Sequence, residues 1–301
     1  MNKLLPAAFL VLAALPARAD SALMANAAQI QALEAQAQAQ AKTKGASPLV
    51  SENIFTLAPY RVNLEYRTAE APAAVHETEA ELMLVLDGSG TLIEGGTLVD
   101  GKRTNAANLS GPSIAGGTSH AFAKGDFAFV PQNTPHQLIP AKGGTLVLMT
   151  LHVPRTTDDR SGAKTFATAA EVASLRAKAK GELKPGANMT SETIVNLAPY
   201  RVALEFRTGG RPAGASLHKA AAELMIGLSG TGTVTTNGTL TDPRPASPGN
   251  LAGSGITAGT VHDMAEGDFL FVPENTPHQI IAANGGDFVL MTLHVPRPVP
   301  K

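Results

Sequence analysis

The sequence predicts a mainly β protein with two tandem antiparallel units, sandwiches or barrels, each preceded by an α-helix. The first observation behind this prediction is an internal repeat: the segment Leu-Ala-Pro-Tyr-Arg-Val that begins at Leu57 recurs at Leu197. The second is the order of segments within each copy, where an alanine-rich stretch precedes short apolar and β-branched runs separated by Gly, Asn and Pro. A duplicated fold unit accounts for both observations.

The repeat runs to the end of the chain. A two-residue insertion in the second copy changes the offset between matching residues from 140 to 142, and this offset holds as far as the matched pair Arg155 and Arg297. The 301 residues suffice for two domains of about 150 residues each. We expect an N-terminal helix segment at 20–48, a first barrel domain at 49–160, and a helix with the second barrel domain at 165–301. A polar linker precedes the second helix.

Local composition predicts each element. Good helix formers fill Ala27–Ala41 and Ala169–Lys180, and Gly181 and Pro185 end the second stretch. The strands are short runs rich in apolar and β-branched residues, bounded by turn formers. In the first copy these runs include Leu82–Leu86, Phe127–Val130 and Thr145–Leu151.

The composition excludes several classes of function. Hydrophobic residues make up 44% and charged residues 16%, which is typical of a folded chain rather than a disordered one. Lys and Arg together number 24 against 25 for Asp and Glu, so the net charge gives no support for nucleic-acid binding. The absence of cysteine excludes disulfides, thiolate metal ligands and a cysteine nucleophile.

The first 19 residues read as a secretory signal peptide. Lys3 precedes an apolar stretch from Leu4 to Leu15, and Pro16 leads into Ala17-Arg18-Ala19, a small-x-small cleavage pattern. The apolar stretch is shorter than the roughly 20 residues that a transmembrane helix needs. We therefore expect residues 1–19 to be removed before Asp20, giving a secreted or periplasmic protein without a membrane anchor.

All eight histidines fall into four pairs matched by the repeat. Histidine is the commonest nitrogen ligand for metals and the usual acid or base near neutral pH, so these pairs indicate candidate sites. We interpret His152 and His294 as packed, hydrogen-bonded residues. The remaining pairs are His76 with His218, His120 with His262, and His136 with His278.

Two stretches of each copy combine these histidines with other polar residues. In the first stretch of copy one, a histidine precedes a glutamate on an alternating strand whose Glu81, Met83 and Val85 share one face. The first stretch contains His76, Glu81, Gly88 and Gly90, and the second contains Gly125, Pro131, Asn133 and His136. The second copy repeats both spacings with His218, Glu223, Gly230, Gly232, Gly267, Pro273, Asn275 and His278.

These stretches resemble the two motifs of the cupin superfamily, HxH-x4-E-x6-G and G-x5-P-x-G-x2-H, in both halves of the chain after about residue 55. The protein is therefore similar to a bicupin. The resemblance implies two antiparallel jelly-roll barrels, each holding one divalent metal ion. By the same resemblance, the metal ligands would be His76, Glu81 and His136 in the first barrel, and His218, Glu223 and His278 in the second.

The sequence also departs from the motifs. The first histidine of HxH is replaced by Ala74 and Ser216, which leaves two histidines and one glutamate in each set. His120 and His262 share strand parity with the apolar Phe122 and Met264. Each is a candidate fourth ligand, a residue that orients a ligand, or a catalytic acid or base.

A further pair of residues leaves two orientations open. Arg67 and Arg207 alternate with glutamates along strands, either forming surface ion pairs or pointing into the barrel to bind a substrate carboxylate.

Two histidines and one carboxylate suit Zn, Mn, Fe or Ni and leave positions open for water or substrate. The favoured hypothesis is an exported metal-dependent enzyme with dioxygenase or isomerase chemistry on a small oxygenated substrate. The alternative is a non-catalytic bicupin that binds a metal or small ligand, and a third is a structural barrel with relic motifs. The resemblance also leaves a homodimer open.

Overall fold

The computed structural model describes residues 23–210 and 213–297. The predicted signal peptide lies outside the described residues. In the part of the chain that is described, no helix has the length and apolar character needed to span a membrane.

The first half of the chain, in order, contains one helix and a series of strands. They are β1 (Leu23–Ala25), α1 (Ala27–Ala41), β2 (Leu49–Leu57), β3 (Tyr60–Arg67), β4 (Ala73–His76), β5 (Glu79–Glu94), β6 (Thr97–Val99), β7 (Lys102–Asn105), β8 (Asn108–Gly111), β9 (Ser113–Ala115), β10 (Thr118–Ala123), β11 (Phe127–Val130), β12 (His136–Pro140) and β13 (Leu146–Pro154).

The second half repeats this order. Its elements are β14 (Phe166–Ala167), α2 (Ala169–Glu182), β15 (Met189–Leu197), β16 (Tyr200–Thr208), β17 (Ala215–His218), β18 (Ala221–Thr236), β19 (Thr239–Thr241), β20 (Arg244–Ser247), β21 (Asn250–Gly253), β22 (Gly255–Thr257), β23 (Thr260–Ala265), β24 (Phe269–Val272), β25 (His278–Ala282) and β26 (Asp287–Pro296). Helix α1 has the predicted bounds, and α2 ends two residues later than predicted.

A long strand organises each barrel. The first part of β5 pairs with β11 and β13, and its second part pairs with β10 and β12. The strand turns between these partners at Gly88 and Gly90, where a Cβ atom would lie 2.0 Å from the Thr145 carbonyl oxygen and 2.4 Å from that of Ile139. Glycine is therefore required for the close approach that curls the sheet. In the second half β18 pairs in the same way, so the predicted pair of antiparallel barrels is confirmed.

Alternation along β5 separates two cores. Met83 and Val85 lie inside the first barrel with Leu92 and Phe122, and Glu81 shares their strand parity, as predicted. The intervening Leu82 and Leu84 instead join a core that contains residues of both barrels. The two barrels are thus joined by a shared apolar core, which is typical of a tightly associated pair of domains.

The segments before each barrel dock across this boundary. Strand β1, which precedes α1, pairs with β24 of the second barrel, and β14, which precedes α2, pairs with β11 of the first. Each connects to a helix whose first N–H donates to an aspartate of that barrel: Ala27 N to Asp268 Oδ1 and Ala169 N to Asp126 Oδ1, both 2.7 Å. Helices α1 and α2 then pack on β2 and β15 of their own copies. The boundaries predicted at 160 and 165 remain a prediction, since these segments serve both barrels.

Reciprocal hydrogen bonds close the same interface. The hydroxyl of Tyr200 donates to the Pro154 carbonyl, and Tyr60 does the same to Pro296. Burial raises the pKa of Tyr200 to about 12, which keeps the hydroxyl protonated as a donor. Because each bond joins one copy to the other, the two halves hold each other in a pseudo-twofold arrangement.

Replacing Asp268 with alanine tests the docking of the first helix on the second barrel. The buried carboxylate accepts hydrogen bonds from Ala27 N and Ala265 N, so Asp268→Ala leaves two partly buried donors without partners. We expect the free energy of unfolding, measured in urea, to fall by about 1–3 kcal/mol. Asp263→Ala, an exposed aspartate on β23, serves as the control. Equal unfolding midpoints for the two variants would contradict this role.

Candidate metal centres

Four neighbouring strands bring polar side chains together inside the first barrel. His76 is the last residue of β4, Glu81 lies near the start of β5, and His136 is the first residue of β12. His152 on β13 is the direct register partner of Glu81. Side chains of register partners project from the same face of a sheet, so His152 and Glu81 meet.

The nitrogen and oxygen atoms of this group converge. Glu81 Oε2 lies 3.0 Å from His136 Nε2 and 3.4 Å from His76 Nε2, and Glu81 Oε1 lies 3.6 Å from His152 Nε2. The rings of His76 and His152 meet edge to face, with centroids 4.4 Å apart. Glu81 and His136 are buried, and the other two side chains are partly buried.

The second barrel repeats the group with the same matched residues. Glu223 Oε2 lies 3.0 Å from His278 Nε2, 3.5 Å from His218 Nε2 and 3.4 Å from His294 Nε2. His294 Nε2 also lies 3.1 Å from His218 Nε2. The arrangement is therefore a property of the duplicated unit.

Hydrogen bonds on the far side of two rings fix their tautomers. His136 Nδ1 lies 3.1 Å from the Thr134 carbonyl oxygen, and His76 Nδ1 lies 3.0 Å from Asn108 Oδ1. Both oxygens can only accept, so each Nδ1 carries a proton and donates it. In the neutral rings each Nε2 then presents a lone pair toward Glu81. Lone pairs and a carboxylate so close together repel unless a cation or protons lie among them.

The second barrel uses the same supports. His278 Nδ1 faces the Thr276 carbonyl at 3.2 Å, and His218 Nδ1 faces Asn250 Oδ1 at 3.0 Å. Asn250 Nδ2 donates to Ser247 Oγ, which sets the orientation of that amide. Partners that hold the other ring nitrogen in this way are characteristic of metal-ligating histidines.

The spacing of the donor atoms fits a transition-metal ion. Adjacent ligand atoms that each lie about 2.0–2.2 Å from one ion are separated by about 2.8–3.6 Å, in octahedral or tetrahedral geometry. The separations to the glutamate oxygens range from 3.0 to 3.6 Å across the two groups. Imidazole and carboxylate donors suit Zn, Mn, Fe or Ni.

The electrostatics show how strongly these groups interact. Burial alone would raise the pKa of Glu81, but His152, His136 and His76 outweigh it and hold that pKa well below its usual range. Glu223 is affected in the same way by His294, His278 and His218. Burial lowers the pKa of His76, whereas Glu81 raises it with a larger net effect. In the described part of the chain, the positive charge facing each glutamate comes from imidazoles and not from Lys or Arg.

In each barrel the three ligands implied by the resemblance meet at the glutamate, but the donor atoms that all lie within 4.8 Å of one another belong to His76, Glu81 and His152 and to His218, Glu223 and His294. His136 and His278 each lie 3.0 Å from the glutamate without belonging to these sets. The structure leaves the ligand role of the six residues a prediction. It adds His152 and His294, which the sequence analysis interpreted as packing residues. The face of His152 on β13 could not be assigned from the sequence, because Leu146–Leu151 is buried on both faces, and the same holds for His294 on β26. The pairing of β13 with β5 shows that His152 lies on the same face as Glu81.

The structure places His120 and His262 apart from these groups. His120 Nε2 lies 3.4 Å from Glu94 Oε1, and its ring stacks on Phe166 at 4.5 Å. His262 Nε2 lies 2.9 Å from Thr236 Oγ1. Among the described residues, no recorded contact joins either histidine to Glu81 or Glu223. Their predicted catalytic role remains a prediction.

A cavity of about 130 Å³ adjoins the second group. Its lining includes Ser216, which stands at the position of the missing motif histidine, and the ion pair between Arg207 and Glu205. Arg207 Nη2 lies 2.7 Å from Glu205 Oε2. The sequence left open whether this arginine forms an ion pair or points into the barrel. In the structure Arg207 does both, since it pairs with Glu205 on its own strand and also lines the cavity.

Comparison with solved structures agrees with this architecture. Salicylate 1,2-dioxygenase from Pseudaminobacter salicylatoxidans aligns over 94% of this chain and 87% of its own, with a TM-score of 0.63 and 11% identity. Coconut allergen cocosin aligns over 83% of this chain and 82% of its own, with a TM-score of 0.50 and 10% identity. The fold is that of two tandem cupin barrels. No protein-family model and no curated protein matches the chain.

The pH dependence of stability tests the coupling within each group. In the metal-free protein, the lowered pKa of Glu81 and Glu223 stabilises the fold above the ordinary value of 4.5, and this stability is lost as pH falls toward the lowered values. The raised pKa of His76 and of His294 stabilises the fold at pH values below the ordinary histidine pKa of 6.5. This stability is lost as the pH rises through the raised pKa values. Melting temperatures of metal-free protein should therefore peak between about pH 4.5 and 6.5.

Metal loading should move this optimum to higher pH, because ligation requires deprotonated imidazoles. The double variant Glu81→Gln and Glu223→Gln is the matched control and should flatten the metal-free profile. A metal-free protein whose melting temperature keeps rising to about pH 8 would contradict the coupling.

Proposed function

We propose that the chain is an exported metal-dependent bicupin enzyme with one metal ion in each barrel. The ligands are His76, Glu81, His136 and His152 in the first barrel and His218, Glu223, His278 and His294 in the second. The observation that carries this proposal is the convergence of imidazole Nε2 atoms on a buried carboxylate, with N···O separations of 3.0–3.6 Å, twice in one chain. Export rests on the signal-peptide pattern of residues 1–19.

Four protein ligands would leave coordination positions of a transition-metal ion open for water or for a substrate that binds through oxygen. The bound metal would act as a Lewis acid or a redox centre. The protein's own contribution is to fix the four donors: Thr134 and Asn108 orient two imidazoles, and strand register orients the third.

The cavity of the second barrel supports a small substrate. Its volume of about 130 Å³ is below the roughly 150 Å³ of an engineered cavity that holds benzene. Arg207 on its lining offers a guanidinium to an anionic group, although Glu205 competes for it. These features favour a compact aliphatic carboxylate with a neighbouring hydroxyl or carbonyl oxygen.

Salicylate 1,2-dioxygenase has also been solved with gentisate, and that structure aligns over 91% of this chain and 81% of its own, with 12% identity and a TM-score of 0.61. This similarity supports oxygen-dependent chemistry as the first class to test. The small cavity favours a smaller substrate than those aromatic acids.

The two barrels differ where a proton could be moved. Glu94 faces His120 in the first barrel, whereas the matching position in the second is Thr236, beside His262. Glu94 pairs in register with His136, so it lies next to the ligand group. We assign Glu94 to proton transfer beside the first ligand group, with His120, whose Nε2 lies 3.4 Å from Glu94 Oε1, as the residue that exchanges the proton with it. Burial lowers the pKa of His262, and its hydroxyl partner cannot supply the same charge.

Metal stoichiometry separates the ligand histidines from the others. His152→Ala and His294→Ala should each weaken metal binding in one barrel by at least about tenfold, because a ligand to the ion is lost. His120→Ala and His262→Ala are matched controls and should leave metal content unchanged. Elemental analysis after equilibrium dialysis against Zn or Mn gives equivalents per chain. Equal metal content in His152→Ala, His294→Ala and wild type would remove these residues from the ligand set.

Oxygen consumption tests the enzyme class. The Fe(II)-loaded protein, supplied with 2-hydroxy, 2-oxo and 1,2-dicarbonyl acids of about six or fewer non-hydrogen atoms, should consume oxygen with at least one substrate. The doubly substituted Glu81→Gln and Glu223→Gln protein should not. If water bound to the metal exchanges in relaxation measurements but no substrate is turned over, with or without oxygen, the protein is a metal-binding module and not an enzyme.

A further inference from the structure

A second cavity, of about 220 Å³, lies where helix α2 meets both barrels. None of the candidate metal ligands lines it. Its apolar wall includes Leu84 and Phe127 from the first barrel and Leu204 and Val289 from the second. The helix contributes Val172 and Arg176. The cavity therefore combines an apolar interior with a cationic side chain.

Two polar groups of this cavity have no protein partner. The other basic residues of α2 are paired, Lys178 with Glu192 at 3.0 Å and Lys180 with Asp287 at 2.7 Å. Arg176 is exposed and has no carboxylate partner in the described parts of the chain. Ser229, on β18, has a buried hydroxyl oxygen that lacks a hydrogen-bond partner among the described residues. A buried polar atom without a partner is costly unless a ligand or water satisfies it.

The internal repeat provides a comparison within the same molecule. The helices match at an offset of 142, since their N-caps are Asn26 and Thr168 and the second copy has two residues fewer between its helix and Leu197. At this offset the residues that match Val172 and Ala173 in the first copy are Ile30 and Gln31, which are larger. Ile30 is buried in the shared core. The helix surface that borders the cavity in the second copy is thus bulkier at the matching place in the first copy.

The charged side chains of the two places differ as well. Glu34 and Asp87 match Arg176 and Ser229, and burial together with Asp87 raises the pKa of Glu34, against a smaller lowering by Lys124. Lys124 lies 3.7 Å from Asp87, so the cation of the first copy is already paired with a carboxylate. A cavity lined by an unpaired cation is therefore not imposed by the fold, since the first copy has larger helix residues and a paired cation at the matching place.

We propose that this cavity binds a small amphipathic anion, a hydrophobic monocarboxylate whose apolar body fills the space between the barrels. Its carboxylate would accept bidentate hydrogen bonds from Arg176. A volume of about 220 Å³ exceeds the roughly 150 Å³ that accommodates benzene, which suits a ligand of about ten non-hydrogen atoms. A medium-chain fatty acid has this size and charge. The site is independent of the metal centres.

Calorimetric titration of the full mature chain with octanoate tests the proposal. The double variant Val172→Ile, Ala173→Gln places the first copy's residues in the second and should abolish binding by filling the cavity. Arg176→Glu should weaken binding by about 10- to 100-fold, as expected for loss of a charge-assisted hydrogen bond. Glu34→Gln, at the matching position of the other helix, is the surface-charge control and should bind as wild type does.

Two controls separate this site from the metal centres and from misfolding. The double variant Glu81→Gln, Glu223→Gln should bind octanoate with unchanged affinity, because its substitutions disable only the metal ligands. Thermal melting should show that Val172→Ile, Ala173→Gln is folded; if it is not, Arg176→Glu decides. The proposal is overturned if wild type binds no octanoate at millimolar concentration, if Arg176→Glu binds as tightly as wild type, or if a folded cavity-filled variant retains binding.

Discussion

The interior of each barrel is built around a buried carboxylate that has imidazoles as its close polar neighbours. Glu81 and Glu223 are only 4% and 3% exposed, and burying a carboxylate without a positive partner is very costly. The imidazoles can provide the positive charge that the carboxylate needs in two ways: they can be protonated, or they can bind a metal ion together with the carboxylate. The acceptors behind His76 and His136 hold the Nδ1 protons and leave Nε2 lone pairs directed at the glutamate. This arrangement favours the metal.

The barrels could not keep these groups in place as loosely linked domains. Strand β1 extends a sheet of the second barrel, whereas the helix that follows it, α1, belongs to the first copy. Strand β14 extends a sheet of the first barrel, whereas α2 belongs to the second copy. Asp268 accepts a hydrogen bond from the first N–H of α1, and Asp126 accepts one from the first N–H of α2. The apolar core is shared between the barrels. Strands β5 and β13 each have one face on this shared core and the other on their own barrel's interior, so the packing between barrels also positions Glu81 and His152.

The sequence predicted much of this architecture because the repeat and the motif spacing are local signals. The helices and the common face of Glu81 with Met83 and Val85 follow from composition and periodicity, the two tandem β units follow from the repeat, and the choice of barrels is what the resemblance to the cupin motifs implied. The reciprocal docking of β1 and β14 could not be predicted, because strands of two or three residues carry no periodic pattern and their partners lie far away in the chain.

The candidate site was predicted in part for the same reason. His76, Glu81 and His136 lie in motifs whose spacing is visible in the sequence. His152 lies in a strand that is buried on both faces, so alternation between apolar and polar residues does not indicate its direction. His120 does lie toward the interior, as its parity with Phe122 predicted, yet its neighbours are Glu94 and Phe166. The alternation along a strand predicts on which face of the sheet a side chain lies, but not where on that face it lies relative to the ligand group.

X-ray absorption spectroscopy of the Zn-loaded protein tests the central claim most directly, because it counts the imidazole ligands of the bound ion. The account predicts a first shell of nitrogen and oxygen atoms at about 2.0–2.2 Å, with the multiple-scattering signal of three imidazoles per metal ion. A shell made of oxygen atoms alone, or a signal from no more than one imidazole, would contradict the claim that the converging histidines and glutamate of each barrel hold a metal.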